Sequence, residues 1–193
     1  MMVSSTLLIT CFEPFGGHET NASRDAVMAL PGEIGPFALR RICLPVAFGR
    51  AAKIAIAAAN ELRPAAIICV GEAGGRAAIT PERVARNLRN ARIPDNDGAR
   101  LHDEPVLAGG PEELLSTLPV DAMVAAIRAA GIPAETSTDA GAYVCNDLMY
   151  LMLRHCETSA TPCGFIHVPA GQELDTATIA RGLEAAIRAL AKP

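Results

Sequence analysis

Short apolar runs alternate along this chain with segments whose apolar residues recur at helical spacing, and that alternation limits the fold more than any other feature. The runs at residues 6–10, 38–46, 65–71, 134–138 and 163–168 are predicted strands. The segments at 23–30, 49–62, 120–130, 146–155 and 176–190 are predicted helices, and Pro64 and Gly131 stop two of them. Strands and helices in strict succession give a largely parallel sheet with helices on both faces, because each helix carries the chain back to begin the next strand.

A chain of 193 residues that is 50% hydrophobic can bury one substantial core, and no linker or repeat divides it, so one catalytic-size domain over 1–193 is expected. The segment 73–119 differs from the rest, being rich in Gly, Pro and Arg with weak periodicity. Long irregular segments of this kind carry function or a subunit contact.

Seventeen Lys and Arg stand against 21 Asp and Glu without runs of either sign, which excludes a basic footprint for nucleic acid. The run from Met1 to Thr10 lacks a basic leader and is too short to span a bilayer. A cytoplasmic protein without membrane attachment is expected. Cys11, Cys43, Cys69, Cys145, Cys156 and Cys163 form no Cys-x-x-Cys pair, so neither a disulfide framework nor a zinc site is expected.

In open α/β sheets ligands gather at the carboxyl ends of the strands. That rule selects residues 11–17, 72–76, Cys145 and His167. Cys145 follows a glycine turn and precedes a helical segment, where backbone N–H groups and the positive dipole end favour a thiolate. His167 can share its proton if the strands of the two residues are neighbours, as a short crossover between them implies. Alternatives stay open: His167 is equally a strand-end histidine bonded to backbone, and Cys11, ending the first strand beside Gly16 and Gly17, rivals Cys145. Cys43 and Cys69 read as small core hydrophobes, His155 as a helix C-terminal cap, His102 as solvated and His18 as a loop residue within reach of a ligand. Glu82, beside Arg83 and Arg86, is either a solvated glutamate or the group that orients an imidazole. Neither glycine-rich loop fits a dinucleotide or P-loop pattern.

Taken together, several blocks resemble the pyroglutamyl peptidase I family, also called pyrrolidone carboxyl peptidases. They are Thr10-Cys11-Phe12-Glu13-Pro14-Phe15-Gly16-Gly17, Ala73-Gly74-Gly75-Arg76, the run from Ile79 to Asn87, the run from Ala91 to Asn96, Ala140-Gly141 with Val144-Cys145-Asn146, and the run from Gly164 to Pro169. The resemblance implies a three-layer α/β/α sandwich with a twisted, mainly parallel central sheet. It implies a cysteine peptidase that removes an N-terminal pyroglutamyl residue through an acyl-enzyme, without metal or organic cofactor. The implied triad is Cys145, His167 and Glu82, with Arg92 and the Cys145 N–H stabilising the oxyanion. Phe12, Phe15, Tyr143 and Val144 fall on the walls of the implied lactam pocket and Asn21 on a polar position, and the resemblance implies assembly as a homotetramer.

Two positions leave the family pattern. Glu72 stands where glutamine is common before Ala-Gly-Gly-Arg, and an ionised carboxylate can accept from a lactam N–H but cannot donate to its carbonyl. Cys11 stands where glycine is usual, which would add a thiol near the pocket. Two other readings share these residues: a nucleoside phosphorylase-like enzyme on a similar fold, and a catalytically silent small-molecule-binding protein.

Overall fold

The computed structural model describes residues 4–191. Met1 to Val3, the start of the N-terminal run read above, lie outside the described residues. The elements in chain order are β1 (Ser5–Phe12), α1 (Ala22–Ala29), β2 (Glu33–Ile34), β3 (Phe37–Leu44), α2 (Arg50–Leu62), β4 (Ala66–Glu72), β5 (Thr80–Glu82), β6 (Val84–Arg86), β7 (Glu113–Leu115), α3 (Val120–Ala129), α4 (Val144–Cys156), β8 (Cys163–Val168) and α5 (Thr176–Leu190).

The main sheet runs β2-β3-β1-β4-β8-β5. The neighbours β3, β1, β4 and β8 are parallel, while β2 and β5 close the two edges antiparallel. Because both faces are covered, the middle strands are buried almost from end to end instead of alternating with water-facing residues. The strand period of two sorts their side chains into two cores. Leu7, Ile9, Ile68, Val70, Ile166 and Val168 face one way, into a core with α1, α3 and α5. Leu8, Phe12, Ile67, Cys69 and Phe165 face the other way, into a core with α2 and α4. The architecture is therefore the expected three-layer α/β/α sandwich.

Local chemistry sets the helix boundaries. Asn21 caps α1 by accepting from Ser23 N at 3.0 Å, and Asp175 caps α5 by accepting from Thr178 N at 2.9 Å. Arg63 adopts a left-handed φ of 45° just before Pro64, which ends α2. Among the described residues no helix is long and apolar enough to cross a membrane.

The segment 134–138 is not the strand that its position suggested. It makes only two parallel bridges, Ile79 with Ala134 and Glu82 with Ser137, along the outer side of β5. Its residues Glu135, Thr136, Ser137 and Thr138 supply no apolar face for a helix layer to cover, so it remains at the border of the sheet. Consequently the strand beside His167 on that side is β5, out of the irregular middle of the chain, and not the segment that leads to Cys145.

Candidate active site

Helix α4 starts at Val144, two residues earlier than its periodicity indicated, so Cys145 lies inside the first turn. First-turn N–H groups have no carbonyl partner within the helix, which leaves the Cys145 N–H free to meet a ligand. Gly141 makes the tight approach to this turn with a φ of +77°, a conformation that L side chains rarely adopt. Two buried polar residues then fix the turn. Asn146 donates from Nδ2 to the carbonyls of Arg86 and Leu88 at 2.8 and 2.9 Å and accepts from Arg86 N at 2.8 Å. Asp147 accepts from Gly49 N at 2.8 Å and from Arg89 Nε at 2.6 Å. Removing either would strand buried partners at about 1–3 kcal/mol each.

The thiol rests against β4. A Cβ placed on Gly71 would stand 2.8 Å from Cys145 Sγ and 2.7 Å from Phe165 Cζ, distances that real Cβ atoms essentially never show. Gly71 pairs in register with His167 on β8. The missing side chain thus makes room for the sulfur next to the histidine's strand.

His167 lies on the same sheet face as Cys163 and Phe165, since residues two apart on a strand point the same way. Its Nδ1 bonds Glu82 Oε1 at 2.7 Å, and both side chains are buried. The same oxygen accepts from Arg76 Nη1 at 2.6 Å. Arg76 is itself held by Thr80 Oγ1 and, through Nη2, by the Asp139 carbonyl at 2.8 Å. The sequence alone assigns Arg76 no role. The available signal was a cation at the end of a strand-following loop, six residues before a carboxylate.

Electrostatics define the resting state. Burial is the leading influence on Glu82 and pulls its pKa upward. The hydrogen bond and charge of His167, with Ser137 and Arg76, overcome it and hold the carboxyl below the ordinary carboxylate value. Burial keeps His167 below the ordinary imidazole value against the pull of Glu82. Glu82 is therefore a carboxylate and His167 a neutral ring near neutral pH. An ionised acceptor at Nδ1 places the ring proton there and leaves Nε2 with a lone pair.

For Cys145 burial pushes the thiol up to about 12, the charge of Glu82 adds to this and Arg76 opposes it. Desolvation opposes the thiolate that the helix start favours, so the proton leaves as attack proceeds.

Cys145 and His167 line one cavity of ≈ 120 Å³ with Phe12, Phe15 and Tyr143. An apolar cavity of about 150 Å³ holds a benzene molecule, so this space is matched to one small ring. Asn21 and Glu72 also line it, as do Val46 and Ala140. Asn21 donates to the Glu13 carbonyl at 3.1 Å, and Glu72 Oε2 accepts from Ala22 N at 2.6 Å at the start of α1. Val144 does not reach the cavity: its side chain is fully buried in the core shared by α2 and α4, because the first residue of α4 points into the sheet. Arg92 is exposed and lines a neighbouring cavity of ≈ 350 Å³ on the far side of Phe15 and Tyr143.

Cys11 is removed from the chemistry by strand parity. It is fully buried with Leu7 and Ile9 in the core on the opposite face of the sheet, and its thiol donates to the Ile42 carbonyl at 3.7 Å. Burial pushes its pKa far up, and it adds no thiol to the pocket.

A thiol in a first helical turn, a neutral imidazole bonded to a buried carboxylate on the adjacent strand, and a ring-sized cavity are the parts of a cysteine-dependent hydrolase. The comparisons with known proteins narrow that class. The family profile of pyroglutamyl peptidases matches residues 5–190. The pyrrolidone-carboxylate peptidase of Levilactobacillus brevis is 44% identical over 95% of this chain and 96% of its own. That of Thermococcus kodakarensis is 44% identical over 94% of each chain. Among solved structures, pyroglutamyl peptidase I of Bacillus amyloliquefaciens superposes with a TM-score of 0.91 at 36% identity, covering 97% of both chains. The pyrrolidone carboxyl peptidase of Thermococcus litoralis gives 0.90 at 33% identity, covering 97% of this chain and 93% of that one. The chain belongs to the pyroglutamyl peptidase family.

Proposed function

We propose that this enzyme hydrolyses the bond after an N-terminal pyroglutamyl residue of peptides, with Cys145 as nucleophile, His167 as proton carrier and Glu82 as the group that orients His167. The observation that carries the reading is the convergence of Cys145 and the His167–Glu82 pair on one ring-sized cavity, in a chain of this family. Phe12, Phe15 and Tyr143 supply flat apolar walls for the lactam, and Asn21 and Glu72 supply polar edges.

In the first step Cys145 Sγ attacks the carbonyl carbon that joins the ring to the next residue, and His167 Nε2 takes the thiol proton. Glu82 keeps the other ring proton on Nδ1 and stabilises the imidazolium that forms. Negative charge gathers on the carbonyl oxygen, toward which the free N–H of Cys145 points as a preorganised donor. Arg92 is the second donor in this reading, its long side chain reaching round Tyr143 from the adjoining cavity when substrate is bound. His167 gives its proton to the leaving amine, the C–N bond breaks, and a pyroglutamyl thioester remains. Water activated by His167 then hydrolyses the thioester and restores the thiol.

Six free cysteines, one of them a required nucleophile, suit a reducing compartment. The reading therefore extends to a cytoplasmic enzyme, working as a homo-oligomer, a tetramer by the resemblance. The test is hydrolysis of pyroglutamyl anilide beside its open-chain glutamyl counterpart, with and without thiol alkylation. Turnover of the pyroglutamyl compound alone, abolished by alkylation, is expected; equal turnover of both or indifference to alkylation would overturn the reading.

A further inference from the structure

Two cysteines stand together at the end of the sheet away from the ring cavity. Cys156 is the last residue of α4 and Cys163 the first of β8. Cys145 and His167 lie toward the other ends of the same two elements, and the chain rises about 16 Å along the helix from Cys145 to Cys156. Both thiols belong to the core shared by α2 and α4. Cys163 is 1% exposed, whereas Cys156 also forms part of the wall of two cavities, of ≈ 530 and ≈ 220 Å³. The Cys163 thiol donates to the Cys156 sulfur, and this bond is the leading influence on each. It holds Cys156 below the ordinary thiol value against burial and drives Cys163 well above it. Cys156 is therefore the member of the pair that ionises more readily and can be reached, with a protonated thiol behind it. Cys11 and Cys43 are also paired in register, on β1 and β3, but burial raises both.

The larger cavity shows what can approach Cys156. Around it stand the Arg63 guanidinium, the His155 imidazole, the Asn60 amide and the hydroxyls of Ser159 and Thr161, and no Asp or Glu lines it. The Arg63 side chain makes no hydrogen bond or ion pair among the described residues, so its five donors face the cavity and solvent. Glu157 lines the smaller cavity, where Arg154 pairs with it. Cavities of about 300–1,000 Å³ accommodate small organic molecules, and a guanidinium fork fits a carboxylate. The wall of this space thus places an ionisable thiol beside a donor set for an anion.

We propose that Cys156 is a thiol-exchange site for small disulfides that carry carboxylates, and that Cys163 resolves the mixed disulfide into a Cys156–Cys163 bond. The Cys156 thiolate attacks one sulfur of the small disulfide, a new S–S bond forms, and the old one breaks as its electron pair leaves on the second half. Cys163 gives its proton to that departing thiolate and attacks the Cys156 sulfur, which expels the remaining half. Two protein thiols are oxidised to one disulfide, and one small disulfide is reduced to two thiols. Excess small thiol reverses both steps. The bond would tie the end of the helix that begins at the nucleophile to the start of the strand that carries His167.

The experiment incubates the native chain with glutathione disulfide, of net negative charge, or cystamine, of net positive charge, and follows each cysteine by peptide mapping with mass spectrometry. Rates on the urea-unfolded chain correct for the intrinsic reactivity of the two reagents. A Cys156–Cys163 disulfide is expected, with glutathione disulfide favoured over cystamine by about tenfold, the effect of one charge-assisted hydrogen bond. Arg63→Gln, at an exposed position, is expected to remove that preference. Cys163→Ser is expected to halt the reaction at a glutathione adduct on Cys156, and the same adduct should appear transiently on the native chain. Exchange at Cys43 or Cys145 with Cys156 left reduced overturns the proposal. A Cys156–Cys163 bond formed without preference between the reagents, or a preference that survives Arg63→Gln, overturns the assignment of the cavity to carboxylate-bearing disulfides. Every outcome is read on Cys156 and Cys163, so it is independent of pyroglutamyl hydrolysis.

Discussion

The Cβ that Gly71 lacks would lie 2.8 Å from the sulfur of Cys145. The nucleophile's position therefore depends on an empty space in the neighbouring strand as much as on its own helix. Both contacts of the added atom, the sulfur and the Phe165 ring, belong to packed groups, and Phe165 is 1% exposed. Overpacking of this kind costs about 1–3 kcal/mol.

Gly71→Ala is expected to lower kcat/KM on a pyroglutamyl anilide by about 100-fold, since a displacement near 1 Å at a reacting group has roughly that effect. Thermal unfolding of the same variant measures the packing cost separately. A variant with full activity would show that the sulfur can move without consequence.

Glu82→Gln keeps the size of the side chain and removes its charge. The amide has no need for the proton on Nδ1, so the ring loses both its tautomeric bias and the partner of its imidazolium. A fall in kcat of about 10⁴ is expected by comparison with the equivalent change in a serine triad. Circular dichroism of the variant checks the fold, and kcat within tenfold of native would remove Glu82 from the mechanism.

Arg76 links the pair to the sheet border and also acts on its charge. Its guanidinium lowers the His167 pKa, which burial has already depressed. The acid limb of kcat/KM against pH is therefore expected below the ordinary imidazole value of 6.5. In Arg76→Gln that limb moves to higher pH, because less positive charge opposes protonation of the ring. A limb that stays in place while kcat falls would assign Arg76 to structure alone.

The same two buried groups make stability depend on pH in one direction. His167 binds its proton less readily when folded, so its contribution is complete above 6.5 and declines as pH falls from there toward its folded value. Glu82 is depressed from 4.5, so its contribution is present above that value and is lost as pH falls through the folded one. Tm is expected to drop between pH 7 and 4, and the drop should shrink in the double variant His167→Gln, Glu82→Gln. An equal drop in that variant would place the dependence elsewhere.

The parallel strands and all five helices were legible because each is long and carries a plain apolar period. Residues 163–168, for instance, form an unbroken apolar-rich run that becomes β8 with the same bounds. Strand β5 was not legible, since Thr80-Pro81-Glu82 holds neither an apolar period nor a strand-forming run, and its pairing with β8 is a tertiary fact. Residue physics alone therefore left Glu82 open, and only the family resemblance put it beside His167. Cys11 shows the opposite failure. Its place at the end of a strand was readable, but which sheet face the chemistry occupies depends on which helices cover it, and Cys11 faces the wrong one. The surroundings of Cys145 were likewise hidden, because the helix start could be seen and the packing that opposes ionisation of the thiol could not.

The most direct measurement is an acid quench of the enzyme during turnover of a pyroglutamyl ester, followed by peptide mapping by mass spectrometry. One pyroglutamyl acyl group on the peptide containing Cys145 is the expected result, absent when Cys145 is alanine. An acyl group on any other residue, or turnover that persists in Cys145→Ala, would contradict the account.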